Sequence, residues 1–520
     1  MRKSDKETEI LLIEPETSLL LIKVSKYLTG LGLKPYLVGG FVRDALLGRD
    51  TADIDIAVTA DALEIASKLA AALGGKYVLL DDINRIARVI LTDENVPSFE
   101  GQWQLDISTL RGSIEQDLEQ RDFTIDAMAV DLSQIANQSE AEKPENGEKS
   151  SLILTVIDPF HGWHDLHQGV IRAVTKITFT SDGVRLLRAV RLAAVLGFTI
   201  ENQTQTLMSH QSYLLADVAG ERVREELLQL LAVPHTENLV NYLDELGLVT
   251  VMIPELNKAK GVIQPKEHFW DVFKHSVQTV ATIDFLLRQG TWEYASKKIL
   301  AFSPWSVELA RHFQREVIHG STRRVLLKLA ALIHDIAKPQ TKTFGADGRM
   351  RFLGHAVMGA ESAVDILERL RFSTKEIKQV EIMVKHHLRP MQMSHDGLPS
   401  RRALYRYFRD TGETSIDILF LSLADHLAAR GPSLDIAQWQ AHTHIVEYIL
   451  GQHCQKESIF IPPKLIDGHD LISLFNMNPG PGVGELLEMV REAQAAGEVT
   501  SRQAALSYIR KRLMTVSKYA

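Results

Sequence analysis

Between Tyr36 and Val58 the spacing of apolar positions changes twice. Tyr36-Leu37-Val38 is a short continuous apolar run, as in a buried strand. Gly39-Gly40 follow at once, where the chain turns and leaves backbone N–H groups open. Residues 41–47 then have helical spacing, with Gly48 as the stop. Ile54 and Ile56 alternate with Asp53 and Asp55. Alternate residues of a strand share a face, so both carboxylates leave one side while both isoleucines enter a core.

The same reading extends along the chain. Residues 17–28 read as an amphipathic helix stopped by Gly30 and Gly32, and 61–73 as an alanine-rich helix stopped by Gly74-Gly75. Strands are expected at 76–80, 87–91 and 104–107. Val130 and residues 152–157 read as two strands of a hairpin, interrupted by the polar stretch 137–151, read as a disordered surface loop. From Thr178 the pattern turns helical, with further helices at 207–231 and 237–248. Residues 292–322 read as an irregular insertion without chemistry. The expected class is α+β, a small mixed sheet at the N-terminal end followed by helical regions. Boundaries are expected at 1–170, 171–262, 263–455 and 456–520.

Length supports that division, since 520 residues are too many for one core. A hydrophobic content of 45% and a charged content of 24% are ordinary for a globular protein. No apolar run reaches membrane-spanning length, and MRKSDKETEI lacks a signal-peptide core. The single cysteine, Cys454, excludes an internal disulfide framework. These features predict a cytoplasmic protein. The net charge of −8 argues against indiscriminate nucleic-acid binding but leaves room for a local basic surface.

Two carboxylates on one strand face repel unless a cation lies between them. Oxygen ligands favour Mg²⁺. The glycine amides nearby suit a phosphate, and Arg43 can neutralise more of it. Taken alone, Asp53 and Asp55 could equally be a solvated strand edge; GG, RD, LLG and DID in one strand–turn–helix–strand unit favour the site. Asp106 falls beside them if its strand runs antiparallel there. It is either a third metal-site acid or a strand-end cap for Thr109 or Leu110.

GGFVRD followed by DIDIAV resembles the head of class II tRNA nucleotidyltransferases and bacterial poly(A) polymerases. The resemblance implies addition of nucleotides to an RNA 3′ end. DLEQRDFTIDAMA is similar to that family's RRDFTINAMA, with Gln120 and Asp126 as departures. Arg121 and Asp122 are retained, and the resemblance implies that this segment touches the triphosphate and ribose. DPFHGWHDL, from Asp158 to Leu166, resembles the turn that closes the family's head. FTSDGVRLLRAVRLAAVLGF resembles its nucleotide-reading helix: Asp182 and Arg185 match, while Ser181 replaces a glutamate. An aspartate accepting from an exocyclic amine and an arginine donating to a ring acceptor could read cytosine or adenine without a template. The other reading is an N-cap with an intrahelical pair to Arg185. Arg188 and Arg191 extend a basic stripe suited to RNA or triphosphate. ERVREELLQLL and YLDELGLVTVMIPEL resemble the family's neck.

A second constellation comprises His275, His334-Asp335, His355, His386-His387 and Asp425, each in an apolar helical run. It resembles the HD phosphohydrolase superfamily, an all-helical metal fold. The resemblance implies His275, His334, Asp335 and Asp425 as ligands of a divalent transition metal or Mg²⁺. It leaves His355, His386 and His387 for a second metal or a substrate phosphate. Lys338 follows the pair as in active members; Ala337 replaces the usual glycine. The last segment, with NPGPGVGE opening a helix, resembles the tail that holds the tRNA elbow. Arg502, Arg510, Lys511, Arg512 and Lys518 make its end basic, for RNA or simply to suit a helix C-terminus.

The whole resemblance implies transfer of CMP and/or AMP from CTP and ATP to the tRNA 3′ end, in full or in part. Asp53, Asp55 and Asp106 would hold Mg²⁺, Gly39, Gly40 and Arg43 the triphosphate, and Asp182 and Arg185 the base. The rivals are a poly(A) polymerase, an HD phosphohydrolase with an inert RNA-docking head, and a non-catalytic RNA-binding protein. Oligomeric state stays open between monomer and homodimer.

Overall fold

The protein was analysed as a computed structural model, which describes residues 6–92, 102–136, 150–394, 397–454 and 464–516. The stretch 137–149 lies outside the described residues, as do Lys518 and the residues 461–463 that begin the tail. The chain forms two compact units, Met1–Val218 and Ala219–Ala520. The boundary falls inside the stretch expected as the neck.

The first unit is built on one mixed sheet of eight strands, larger than expected. They are β1 (Lys6–Ile13), β2 (Tyr36–Val38), β3 (Asp53–Val58), β4 (Lys76–Asp81), β5 (Ile86–Thr92), β6 (Gln102–Thr109), β7 (Ala129–Asp131) and β8 (Ser150–Ile157). Their order across the sheet is β1-β8-β7-β2-β3-β6-β5-β4. Only β3 and β6 run parallel; the other neighbours are antiparallel. The sequence pattern missed β1, whose partner β8 is remote in sequence. The expected hairpin forms, with Ala129 opposite Ile157 and Val130 opposite Val156.

Helix α1 (Pro15–Gly30) starts on a proline, which has no N–H to waste at that position. Helix α2 (Gly40–Leu46) springs from the glycine turn after β2. Helix α3 (Ala62–Leu73) is capped by the Asp61 carboxylate, which accepts from the Leu63 N–H, and packs on β4, β5 and β6. Leu37, Ile54 and Ile56 are buried, so the β2–β3 centre of the sheet is anchored on its apolar face.

Two expected helices are broken. The base-reading segment is a single turn (Thr178–Ser181) and then Arg185–Leu196, because the chain extends at Asp182. There a Cβ on Gly183 would come within 2.6 Å of the Leu214 carbonyl, so a close backbone approach sets the break. The stretch 207–231 is not one helix. It comprises Asn202–Gln211, a 3₁₀ segment (Ser212–Asp217) ending on the extended Val218, and Gly220–Ala232.

The second unit is helical. Val272–Leu286, Arg323–Ile333, His355–Arg369, Thr374–His386 and Ser415–Arg430 pack around one another, with small hairpins at their ends. Most of Arg323–Ile333 is buried, and Thr322 caps it by accepting from the Val325 N–H. Residues 292–322 are not irregular: they form Lys297–Phe302, Val307–Gln314 and the hairpin Glu316–Ile318 with Ser321–Thr322. Ser306 caps the second helix, and Trp305 stacks parallel to Phe313 at 6.5 Å, which explains the order. The tail helices Gly468–Phe475, Pro481–Ala495 and Arg502–Val516 enclose a small core of their own, centred on Leu471, Val490 and Ile509. Their outer contact is polar: Arg402, Arg406 and Arg409 of Arg401–Thr411 meet Glu498, Glu492 and Glu488.

Candidate active sites

In the first unit, the strand register sets the acids. Asp53 stands opposite Gln104 and Asp55 opposite Asp106 in the parallel β3–β6 ladder. Asp106 therefore reaches Asp55 through a parallel pairing, not the antiparallel one expected. It caps neither Thr109 nor Leu110. Both its oxygens accept from Arg88 of β5, at 2.7 and 2.9 Å, and the Leu110 N–H goes to Val58. Asp53 is exposed and Asp55 half-buried. Burial, opposed by Arg121 and reinforced by Asp106, leaves Asp55 raised to about 6. Asp55, with Asp53 on the same strand face, offers carboxylate oxygens of the kind a divalent ion takes.

Gly39 is required twice over. Its φ is +70°, and a Cβ there would lie 2.5 Å from the Arg121 guanidinium and 3.2 Å from the Asp55 carboxylate. The turn thus brings Arg121 against the acids. Asp122 is buried and pairs with Arg188 at 2.8 Å. Burial would raise its pKa, but Arg188 and Arg185 outweigh that and hold it below the ordinary carboxylate value. Arg185 donates to the Gln120 carbonyl at 2.8 Å and to the Thr178 carbonyl at 3.3 Å. The Arg185–Leu196 helix and the Gln120–Asp122 segment therefore form one surface. The departure at Gln120 leaves this contact intact, since it uses the main chain. Asp182 accepts from the Val184 N–H at 3.2 Å, as a cap would. Arg191 is half-buried on the same helix.

Arg43 is placed differently from the expectation. It is buried, donating to Asp126 at 2.7 Å and twice to Asp44 at 2.9 Å. The departure at Asp126 thus makes an ion pair that an asparagine could not. Gly40 opens α2 beside the Arg43 guanidinium.

The second unit gathers most of its predicted ligands. His275 Nε2 lies 3.0 Å from Asp425 and 3.4 Å from Asp335. His334 Nε2 is 3.2 Å from Asp335 and 3.8 Å from Asp425. On the other Asp335 oxygen, His355 Nε2 stands at 3.4 Å and His387 Nε2 at 3.9 Å. His387 rather than its neighbour His386 joins the cluster. Three Nδ1 atoms are turned to main-chain carbonyls: His334 to Ala331 at 2.8 Å, His355 to Phe352 at 2.6 Å and His387 to Val384 at 2.7 Å. That fixes the tautomer and frees each Nε2 lone pair toward Asp335.

The Nε2 atoms of His334 and His355 are buried without hydrogen-bond partners, and the buried Asp335 carboxylate is met only by imidazole nitrogens and the Lys338 ammonium. Such a set is costly unless a cation completes it, so the residues fit a metal. Burial holds His275 below the ordinary imidazole value and His387 down at about 3. It would lower His334 as well, but Asp335 and Asp425 push that ring up. Two further residues border this cluster and were not expected. His268 packs edge-on against His275 with ring centres 5.4 Å apart, and Gln264 accepts from Lys338 at 2.6 Å. No motif marks either, because a lone histidine and a neutral amide carry no spacing signal.

The sheet with its glycine turn and acids, followed by a helical metal cluster, defines a nucleotidyltransferase head joined to an HD fold. Three family models agree: Poly A polymerase head domain over residues 35–172, Probable RNA and SrmB-binding site of polymerase A over 197–260, and HD domain over 303–430. An A-adding tRNA nucleotidyltransferase of Deinococcus radiodurans is 32% identical over 478 residues, covering 91% of this chain and 94% of its own. A CC-adding tRNA nucleotidyltransferase of Thermus thermophilus is 29% identical over 478 residues, covering 90% and 92%. The chain belongs to the tRNA nucleotidyltransferase family and is a nucleotidyltransferase enzyme. Its fold matches that of a CCA-adding enzyme in an apo form, with a TM-score of 0.58 at 21% identity over 96% of this chain and 95% of that one. Head and HD domains of these kinds are metal-dependent in general. Among the described residues no helix is long and apolar enough to cross a membrane.

Proposed function

We propose that the protein transfers CMP and/or AMP from CTP and ATP to the 3′ end of tRNA, building CCA or part of it in the cytoplasm. The observation that carries this is the register of β3 with β6, which pairs Asp55 with Asp106 under the Gly39 turn, with Asp53 two residues earlier on the same strand face. Asp53 and Asp55 are the residues that would hold Mg²⁺. Bound there, it would supply Lewis acidity to the RNA 3′-hydroxyl and the leaving pyrophosphate. Asp106 stands beside them with its charge balanced by Arg88.

The chain's own residues do the rest. Gly39 and Gly40 offer main-chain amides to the triphosphate, and Arg121 adds a guanidinium beside them. Arg43 supports this turn through Asp126 and Asp44. Asp182 and Arg185 face the base, with Arg188 and Asp122 fixing the helix against the ribose side. The names of the relatives, one A-adding and two CC-adding, support transfer of either or both nucleotides. Purified protein given tRNA lacking CCA, and tRNA ending in CC, with CTP and ATP separately, tests this. Extension by one to three residues supports the reading. Long adenylate tracts on any RNA would make it a poly(A) polymerase, and no extension would sink it.

The second site supports a second activity, hydrolysis of a phosphate monoester or a 2′,3′-cyclic phosphate. Two overlapping ligand sets carry it, His275, His334 and Asp425 on one side and His334, Asp335 and His387 on the other. Asp335 lies between them, with His355 against its second oxygen. Release of inorganic phosphate from a monoester, and ring opening of a 2′,3′-cyclic phosphate to a monoester, each by metal-loaded protein and lost in Asp335→Ala, are the measurements.

A further inference from the structure

The loop before the Val272–Leu286 helix lies against the metal cluster and belongs to no ligand set. Its main chain is fastened to the end of the helix that carries Asp425. The Phe269 N–H donates to the Ala429 carbonyl at 2.9 Å, and Arg430 donates to the Glu267 carbonyl at 3.2 Å. A turn closed by the His268 N–H on the Pro265 carbonyl, at 2.9 Å, directs the His268 ring inward. That ring is half-buried against His275, and its Nδ1 is buried with no hydrogen-bond partner. An unpaired buried nitrogen of this kind calls for an explanation.

Lys338 stands on the same side of the cluster. It is buried, and its ammonium lies 2.6 Å from Asp335 Oδ2 and 2.6 Å from the Gln264 oxygen. Gln264 is in the same loop and donates to the Trp270 carbonyl at 3.2 Å, so it holds the lysine from a fixed frame. Phe352 packs under the ammonium at 5.6 Å. An ammonium carries three donors, one more than Asp335 and Gln264 use. The cluster thus has imidazoles and carboxylates facing the metal, and an N–H donor and a cation at one flank.

We infer that His268 and Lys338 form a phosphate-binding subsite beside the HD metal ligands, in which His268 donates a hydrogen bond to a phosphoryl oxygen and Lys338 supplies the countercharge. This rests on the HD reading given above. The ligand class is a phosphate monoester or diester, or the inorganic phosphate that hydrolysis of a monoester leaves. His268 then acts on substrate directly and not as a further metal ligand. Its unpaired nitrogen is the atom that a phosphate oxygen would satisfy.

The test uses the full chain loaded with Mn²⁺, its metal content measured by mass spectrometry and its binding of inorganic phosphate by calorimetry. Asp335→Ala defines what the head alone binds. The parent should bind phosphate beyond that background. His268→Ala should keep the metal content and weaken phosphate binding at least tenfold. His268→Gln, which restores an N–H donor, should recover to within about threefold of the parent. Lys338→Met should keep or raise the metal content while weakening phosphate at least tenfold. Far-UV circular dichroism and thermal unfolding report that each variant is folded. If the parent holds no Asp335-dependent metal, the HD reading itself fails and this inference with it. If metal is held but His268→Ala binds phosphate like the parent, or metal-loaded parent binds none, only the subsite is wrong. If His268→Ala loses the metal, the ring is a metal ligand and the inference is overturned.

Discussion

The two acid clusters use the same ligand chemistry in opposite settings. In the head, Asp53 is exposed, Asp55 is half-buried, and Arg88 and Arg121 lie alongside. In the HD unit, Asp335 and its histidines are buried, and main-chain carbonyls fix three of the rings. The first arrangement must admit a triphosphate and an RNA end, so its acids stand at the rim of a sheet where both can approach. The second is assembled before any ligand arrives, and it leaves buried imidazole nitrogens unsatisfied. An open site tolerates a missing cation through water and arginines. A closed one does not, so burial dictates how strongly each depends on its metal.

The largest effect should separate the two completely. Asp53→Ala or Asp55→Ala should lower nucleotide addition by at least about 10³-fold while tRNA binding and folding persist, because two repelling carboxylates become one. Asp335→Ala should abolish phosphate-ester hydrolysis and leave addition near normal, since neither cluster borrows a residue from the other. Both assays on the three variants decide it. Near-parental transfer by either head variant, or loss of both activities in Asp335→Ala, would break the comparison.

A smaller effect comes from the turn. Gly39→Ala puts a methyl where the Arg121 guanidinium sits, at a φ of +70°. A loss of roughly 1–3 kcal/mol of local stability is expected from the backbone alone. Addition should fall about 10²-fold, with hydrolysis untouched. A variant that transfers at the parent rate would mean that Arg121 can be displaced freely and does not serve the site.

Arg185→Ala should be milder, about tenfold in rate. Discrimination among the four nucleoside triphosphates should drop more than affinity, because the acids and the glycine turn remain. Arg185 also ties its helix to the Gln120 carbonyl, so some of the rate loss is positional. Unchanged selectivity for CTP and ATP would reduce Arg185 to that tie.

The contrast also explains what was legible in the sequence. Asp53 and Asp55 could be read from period-2 alternation, and His334-Asp335 from its motif, because those signals are local. Strand β1 was hidden because its reason to form is β8, far along the chain. Asp106 was placed beside Asp55 correctly but through the wrong strand direction, which a sequence pattern does not contain. The break at 212–219 and the order within 292–322 follow from tertiary contacts: Gly220 comes so close to the Arg369 carbonyl that a Cβ would sit 2.4 Å away, and His312 and Arg323 converge on buried Asp417. Arg43 looked free for phosphate because nothing local announced its pairing with Asp126.

The smallest effect concerns protons and sharpens the difference in burial. Asp55 is pushed from the ordinary 3.8 to about 6, first by burial. A carboxylate whose folded value is raised contributes stability below its unfolded value, and that stability is lost as pH rises through the folded one. The relevant window therefore runs from about 4 to 6. Without divalent cation, the parent head should be less stable at pH 7.5 than at pH 4.5 by about 1–3 kcal/mol on this account. Asp55→Asn carries no such proton, so at pH 7.5 it should unfold at a higher temperature than the parent. The gap should close as pH falls through the window. Mg²⁺ should raise the parent and leave the variant nearly unmoved, since the ion replaces the proton as the countercharge of Asp55. Thermal unfolding of both proteins at the two pH values, with and without Mg²⁺, measures this. Equal melting temperatures at pH 7.5 without metal would mean that Arg121 already neutralises Asp55, and that the head site has no cation deficit to fill.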